Sequence, residues 1–146
     1  MSPLCKALKL FCFLAFVFAA FNVLLEACVI VDYLDVTDPW AIAGVALGFV
    51  DSALAIVFCV FGIQAANNPR KTERSRTWAF VAAITGLFAT IASGVAWVPS
   101  VFSCGVLCAI CLLGGIWSNS IIDDMNRKQL GGSAKKDDKK SKKKKK

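Results

Sequence analysis

The stretch Thr77–Ile122, TWAFVAAITGLFATIASGVAWVPSVFSCGVLCAICLLGGIWSNSII, carries no charged residue. As one helix it would reach about 70 Å at about 1.5 Å per residue, twice the roughly 30 Å hydrocarbon core of a bilayer. It must therefore fold back on itself. Pro99 and Ser100 lie near its middle, and a proline there breaks the helical pattern. The stretch reads as two membrane spans, 77–98 and 101–122, joined by a tight turn.

Two further spans lie upstream. Residues 10–31 are apolar except for Asn22 and Glu26, and residues 40–66 carry one charge, Asp51. Local signals mark the ends. Asp38-Pro39 supplies an N-cap acid followed by proline at the first helical position, and Asn67-Asn68-Pro69 stops the second span. Thr77 is a candidate cap for the third. The expected fold is all-α, an integral membrane four-helix bundle made of two helical hairpins over residues 1–128. A composition of 57% hydrophobic residues with mean hydropathy +0.62 is too apolar for a soluble domain of 146 residues.

Charge sets the expected orientation. Lys6 and Lys9 precede span one; Arg70, Lys71, Arg74 and Arg76 follow span two; Arg127, Lys128 and the tail follow span four. The first connection instead carries Asp32, Asp35 and Asp38, and the last turn is neutral. All basic segments fall on one side only with four spans and both termini cytoplasmic, as the positive-inside rule requires. The expected location is a cell membrane, multi-pass. A rival reading cleaves a signal sequence before Cys28, where Leu25-Glu26-Ala27-Cys28 loosely resembles a lipoprotein site. It leaves the same orientation, but Glu26 fits such a site poorly and the apolar stretch is long for a signal peptide.

The net charge of +7 belongs to the end of the chain: residues 135–146 hold nine Lys and two Asp, and the rest is neutral. No nucleic-acid-binding surface is implied. After the Gly131-Gly132-Ser133 linker, residues 129–146 read by composition as a disordered cytoplasmic tail. Its Lys139, Lys140, Lys142, Lys143 and Lys144 are candidate contacts for anionic lipid, worth about 1 kcal/mol each near the surface. Lys143 and Lys144 also match a dilysine retrieval signal.

Each span carries small or polar residues at helical spacing: Cys12, Ala15, Ala19, Asn22 and Glu26; then Gly44, Gly48, Asp51 or Ser52, Ala55, Cys59 and Gly62; then Ala82, Gly86, Thr90 and Gly94; then Cys104, Cys108, Cys111, Gly115 and Ser118. Small residues let membrane helices approach closely. Gly44, Gly48, Gly86 and Gly94 are the expected packing glycines inside the bundle. Alternatively the Gly44-x3-Gly48 motif forms a dimer face.

Asp51 is the most informative residue. A charge near mid-membrane costs at least about 2.5–3.5 kcal/mol, so Asp51 must face the bundle or water, or be neutral. Asn22 is expected at similar depth, with an Asn22–Asp51 hydrogen bond, and Glu26 one turn nearer the outer surface. Asn22, Glu26 and Asp51 thus form a candidate polar cluster, either a proton- or cation-binding site or a clasp between two helices. No catalytic constellation is visible. There is no His, and no nucleophile–base pair or phosphate-binding loop. Cys104-x3-Cys108-x2-Cys111 has iron–sulfur spacing but lies within an apolar span, where Cys serves as a small hydrophobe. Asp32, Asp35 and Asp38 supply too few ligands for a cation. No metal or cofactor is expected.

The sequence FGIQAANNPRK, residues 61–71, closing span two, and the short turn between spans three and four resemble small four-span bacterial membrane proteins of uncharacterised function, over residues 8–128. That resemblance implies the four-span layout and no activity. Tetraspanins share the span count, but this chain lacks a large outer loop and a Cys-Cys-Gly motif. Small multidrug exporters carry a first-span acid, whereas here the deep acid is on span two. The expected function is a non-enzymatic scaffold or accessory subunit; the alternative is a small proton- or cation-coupled transporter or channel using Asp51. Expected partners are the bilayer, anionic lipids at the tail, and a second copy or another membrane protein.

Overall fold

The computed structural model describes the backbone of residues 3–32 and 38–143, and the side chains of residues 3–31 and 38–127. Four helices run α1 (Pro3–Asp32), α2 (Pro39–Asn67), α3 (Thr72–Val95) and α4 (Val101–Lys143), with a 3-10 turn, Pro69–Lys71, before α3. All four are long and apolar enough to cross a membrane. The chain is a multi-pass membrane protein, an all-α bundle of two hairpins. Each helix packs against its neighbours in ring order, α1 also meets α4, and α2 touches α4 across the bundle. The end of α1, the start of α2 and the α3–α4 connection lie at one end, the hairpin end. The start of α1 and the Pro69–Lys71 turn lie at the other, the terminal end.

The proline signals end the helices where expected. The Asp38 carboxylate accepts the Trp40 N–H at 2.9 Å, with Pro39 as the first residue of α2. Asn68 accepts the Arg70 N–H at 3.3 Å after α2 has stopped at Asn67. The turn after α3 is a Schellman motif: Val98 N–H bonds Ser93 C=O at 2.9 Å and Trp97 N–H bonds Gly94 C=O at 3.3 Å. Its left-handed position is Trp97 (φ 55°), where glycine is the usual residue.

Several boundaries differ from expectation. α1 begins at Pro3, so Lys6 and Lys9 lie on the helix. α3 begins at Thr72, and Thr77 is no cap: its hydroxyl bonds the Glu73 carbonyl one turn back at 3.0 Å. α3 stops at Val95, three residues before the expected end. Hydropathy marks where lipid touches the chain, while backbone hydrogen bonds continue wherever no proline intervenes. α4 runs from Val101 to Lys143. The proposed lipid-contact lysines of the tail lie outside the described side chains, as do Asp32 and Asp35.

Trp40 and Trp97 are exposed at the hairpin end. At the terminal end Trp117 packs on Phe11 and Trp78 on Phe61, with centroids 6.1 and 6.2 Å apart. Tryptophan at both ends of a bundle matches the aromatic belts of membrane interfaces. Phe13, Phe16, Leu24, Ile84, Phe88 and Ile91 face outward along the middle, as lipid contact requires. The main core centres on Phe58, Leu107 and the alanines and cysteines around them, and a smaller one of Val29, Ala41, Val45 and Val98 covers the hairpin end.

Candidate functional site

Between the two cores lies a polar layer. Asn22, Glu26, Asp51, Ser52, Ser93, Ser100, Ser103 and Cys104 are all buried. The three expected residues, Asn22, Glu26 and Asp51, share this layer, each with no exposed surface. The small-residue stripes bring them there. Cys12, Ala15 and Ala19 keep one face of α1 against its neighbours, and that face continues into Asn22 and Glu26.

Asn22 joins three helices. Its amide donates to the Gly48 carbonyl at 3.2 Å and to the Ser52 hydroxyl at 3.0 Å, both on α2. Its carbonyl accepts from Ser103 and, at 3.6 Å, from the Cys104 thiol, both on α4. The expected Asn22–Asp51 bond is not formed: Ser52, the next residue, takes that place. Both Asp51 and Ser52 face inward, but the contact of Gly48 with Glu26 draws α1 to the Gly48–Ser52 side of α2.

Asp51 points instead between α3 and α4. A methyl group added at Gly86 would lie 2.9 and 3.0 Å from its two carboxylate oxygens and 3.0 Å from Cys108 Cβ. Neither oxygen has a hydrogen-bond partner. Glu26 folds over Gly48, where a methyl group would overlap its carboxylate. Its Oε1 accepts from the Cys104 thiol at 3.6 Å and its Oε2 has no partner. The hydroxyls of Ser93 and Ser100 are likewise buried without a partner. Glu26 lies at the level of Cys104 and Asp51 at that of Cys108, so the acids stand about one helical turn, or about 6 Å, apart in depth. No Lys, Arg or His occurs in residues 10–69 or 77–126, so no fixed cation lies at either level.

The packing glycines divide. Gly44 is pressed against the Ser93 backbone, with an added methyl 3.1 Å from its N and 3.2 Å from its Cα. Gly44 and Gly48 are thus consumed by α3 and α1 of the same chain, and the GxxxG motif is not a dimer face. Gly86 makes room for Asp51. Gly94 is exposed, its nearest added-methyl contact being Val101 at 3.6 Å. It packs nothing: Ser93 occupies the facing position. Gly114, not singled out in the sequence, forms the notch for the Phe58 ring. Ser93 and Ser103, not singled out in the sequence, and Ser100, read there only as a turn residue, are serines next to or one turn from residues that were identified. Their proximity was the available signal.

Cys5, Cys12, Cys59, Cys104 and Cys111 behave as small buried groups, Cys108 is partly buried and Cys28 is exposed. Cys59 donates to the Cys12 carbonyl at 3.0 Å and Cys108 to the Ala83 carbonyl at 3.1 Å. Among the described residues no group of three His, Cys, Asp or Glu is arranged to hold a metal ion. No protein-family model, curated protein or solved structure matches the chain.

Proposed function

We propose that the protein is a small proton- or cation-coupled transporter or channel of a cell membrane, with Asp51 as the coupling acid and both termini cytoplasmic. One observation carries this reading: both carboxylate oxygens of Asp51 are buried without a hydrogen-bond partner. A clasp needs a bond, and the bonds that join the helices belong to Asn22. Asp51 therefore adds the cost of an intramembrane acid and no interhelical hydrogen bond, and such residues mark ion or proton pathways by default. Glu26, with one oxygen unpartnered and nearer the hairpin end, is the relay between that end and Asp51. The scaffold reading loses support, since its clasp was to include Asp51 and the helix-joining bonds belong to Asn22. The orientation rests on the basic residues gathered at the terminal end.

The test is ion flux into liposomes containing the full chain, with H⁺, Na⁺ and K⁺ gradients imposed in turn. Wild type should conduct or exchange at least one ion, and Asp51→Asn should abolish the flux while keeping its helical content and monodisperse elution. Flux equal to that of empty liposomes for all three ions, or equal flux in Asp51→Asn, refutes the reading.

A further inference from the structure

The polar layer is not the only feature with unused chemistry. In the terminal half, the seam between α1 and α2 carries a groove of about 580 Å³ on its outer side. Cys12 and Cys59 form part of its lining and are tied by the Cys59 thiol bond to the Cys12 carbonyl. Phe13, Phe16, Ile56 and Val60 supply apolar walls. The helices are antiparallel, so Ile63 and Lys9 stand at one end of the groove and Ile56 and Phe16 at the other. The seven helical steps from Lys9 to Phe16 cover about 10 Å along the membrane normal, which lies within one leaflet of a bilayer core about 30 Å thick.

Lys9 is the one charged residue lining this groove. α1 carries no acid before Glu26, and α2 carries none after Asp51. Neither helix that forms the groove therefore supplies a carboxylate for the Lys9 ammonium. A lysine in this position lays its stem on the apolar wall and carries its charge up to the headgroup level.

We propose that this groove is a binding site for an anionic phospholipid, one acyl chain lying between Phe13, Phe16, Ile56 and Val60 and the phosphate against Lys9. Charge decides the occupant. An apolar helix from a second copy would fill the groove but bring no anion to the ammonium. A zwitterionic lipid brings its own cation to compete for the phosphate. This site is separate from the basic tail and from Asp51, and it holds whether or not the protein moves ions.

The test is native mass spectrometry of the full chain released from detergent micelles containing equal phosphatidylglycerol and phosphatidylcholine. Wild type should retain one phosphatidylglycerol in preference. Lys9→Gln should lower that preference about five-fold, the equivalent of about 1 kcal/mol per basic residue at a membrane surface. Val60→Trp, which fills the groove from its exposed side, should lower retention of both lipids. A variant with Lys139, Lys140, Lys142, Lys143 and Lys144 changed to Gln should keep the Lys9-dependent step. An unchanged preference in Lys9→Gln, unchanged retention in Val60→Trp, or a lipid-free dimer as the dominant species would overturn the proposal.

Discussion

If Asn22 rather than Asp51 holds the helices together, the two should differ sharply in what their loss does to stability. Asn22→Ala removes two donated bonds to α2, at 3.2 and 3.0 Å, and the acceptor shared by Ser103 and Cys104 on α4. Interhelical hydrogen bonds in membrane proteins average about 0.6 kcal/mol and reach about 1.7. Three such bonds, with the weak thiol contact neglected, come to about 2–5 kcal/mol. Ser52 keeps its bond to the Gly48 carbonyl at 2.9 Å, while Ser103 loses its acceptor. That places the estimate toward the middle of the range. Asp51→Asn removes no hydrogen bond, nearly conserves volume and relieves the cost of holding an acid inside the membrane, so it should not destabilise the bundle. The assay is equilibrium unfolding in mixed micelles of increasing dodecyl sulfate fraction, followed by tryptophan fluorescence. Trp117 stacks against Phe11 and Trp78 against Phe61, so the signal reports the α1–α4 and α2–α3 contacts. Asn22→Ala within about 0.5 kcal/mol of wild type, or Asp51→Asn as costly as Asn22→Ala, would refute the assignment.

Other substitutions test the packing. Gly44→Ala should cost about 1–3 kcal/mol, as overpacking does, because the rigid Ser93 backbone stands 3.1 Å from the new methyl; Gly94→Ala should be neutral in the same titration, its nearest contact being 3.6 Å. Gly114→Ala should destabilise by driving a methyl into the Phe58 ring, and adding Phe58→Leu should recover part of the loss, read as a non-additive double-mutant cycle. Trp97→Gly should raise stability in detergent by up to about 1 kcal/mol, since a non-glycine residue at φ 55° costs about 1–2 kcal/mol and glycine gives some of that back as unfolded-chain entropy; a clear loss would mean that the ring, 92% exposed, is held by contacts that outweigh the strain.

The four spans were legible because a bilayer imposes a length and proline punctuates it. The uncharged run 77–122 had to turn, and Pro99 marked where. Helix ends were less legible, because charged residues such as Lys6 and Glu73 interrupt hydropathy without interrupting a helix. The positions facing inward were legible to the accuracy of the helical period. At about 100° per residue, Gly94 stands eight residues from Gly86 and so about 80° round from it. Ser93, seven residues on, stands about 20° away and takes the inward place. One residue of phase separates the exposed glycine from the buried serine. The same margin misassigned the partner of Asn22. Asp51 and Ser52 both face the interior, and nothing on α2 alone says which meets α1.

That choice is made by a glycine. Gly48 lets the Glu26 side chain lie against the α2 backbone, which sets the approach of α1 and directs Asn22 to Gly48 and Ser52. With that side of α2 occupied, Asp51 is left facing Gly86 and Cys108, where the second notch admits its carboxylate. The glycines that pack the bundle and the acids proposed to carry ions are therefore parts of one arrangement. Each acid is buried because a glycine on a neighbouring helix has no side chain there. A methyl at Gly48 or Gly86 should accordingly disturb ion handling as well as packing, whereas one at Gly94 should disturb neither.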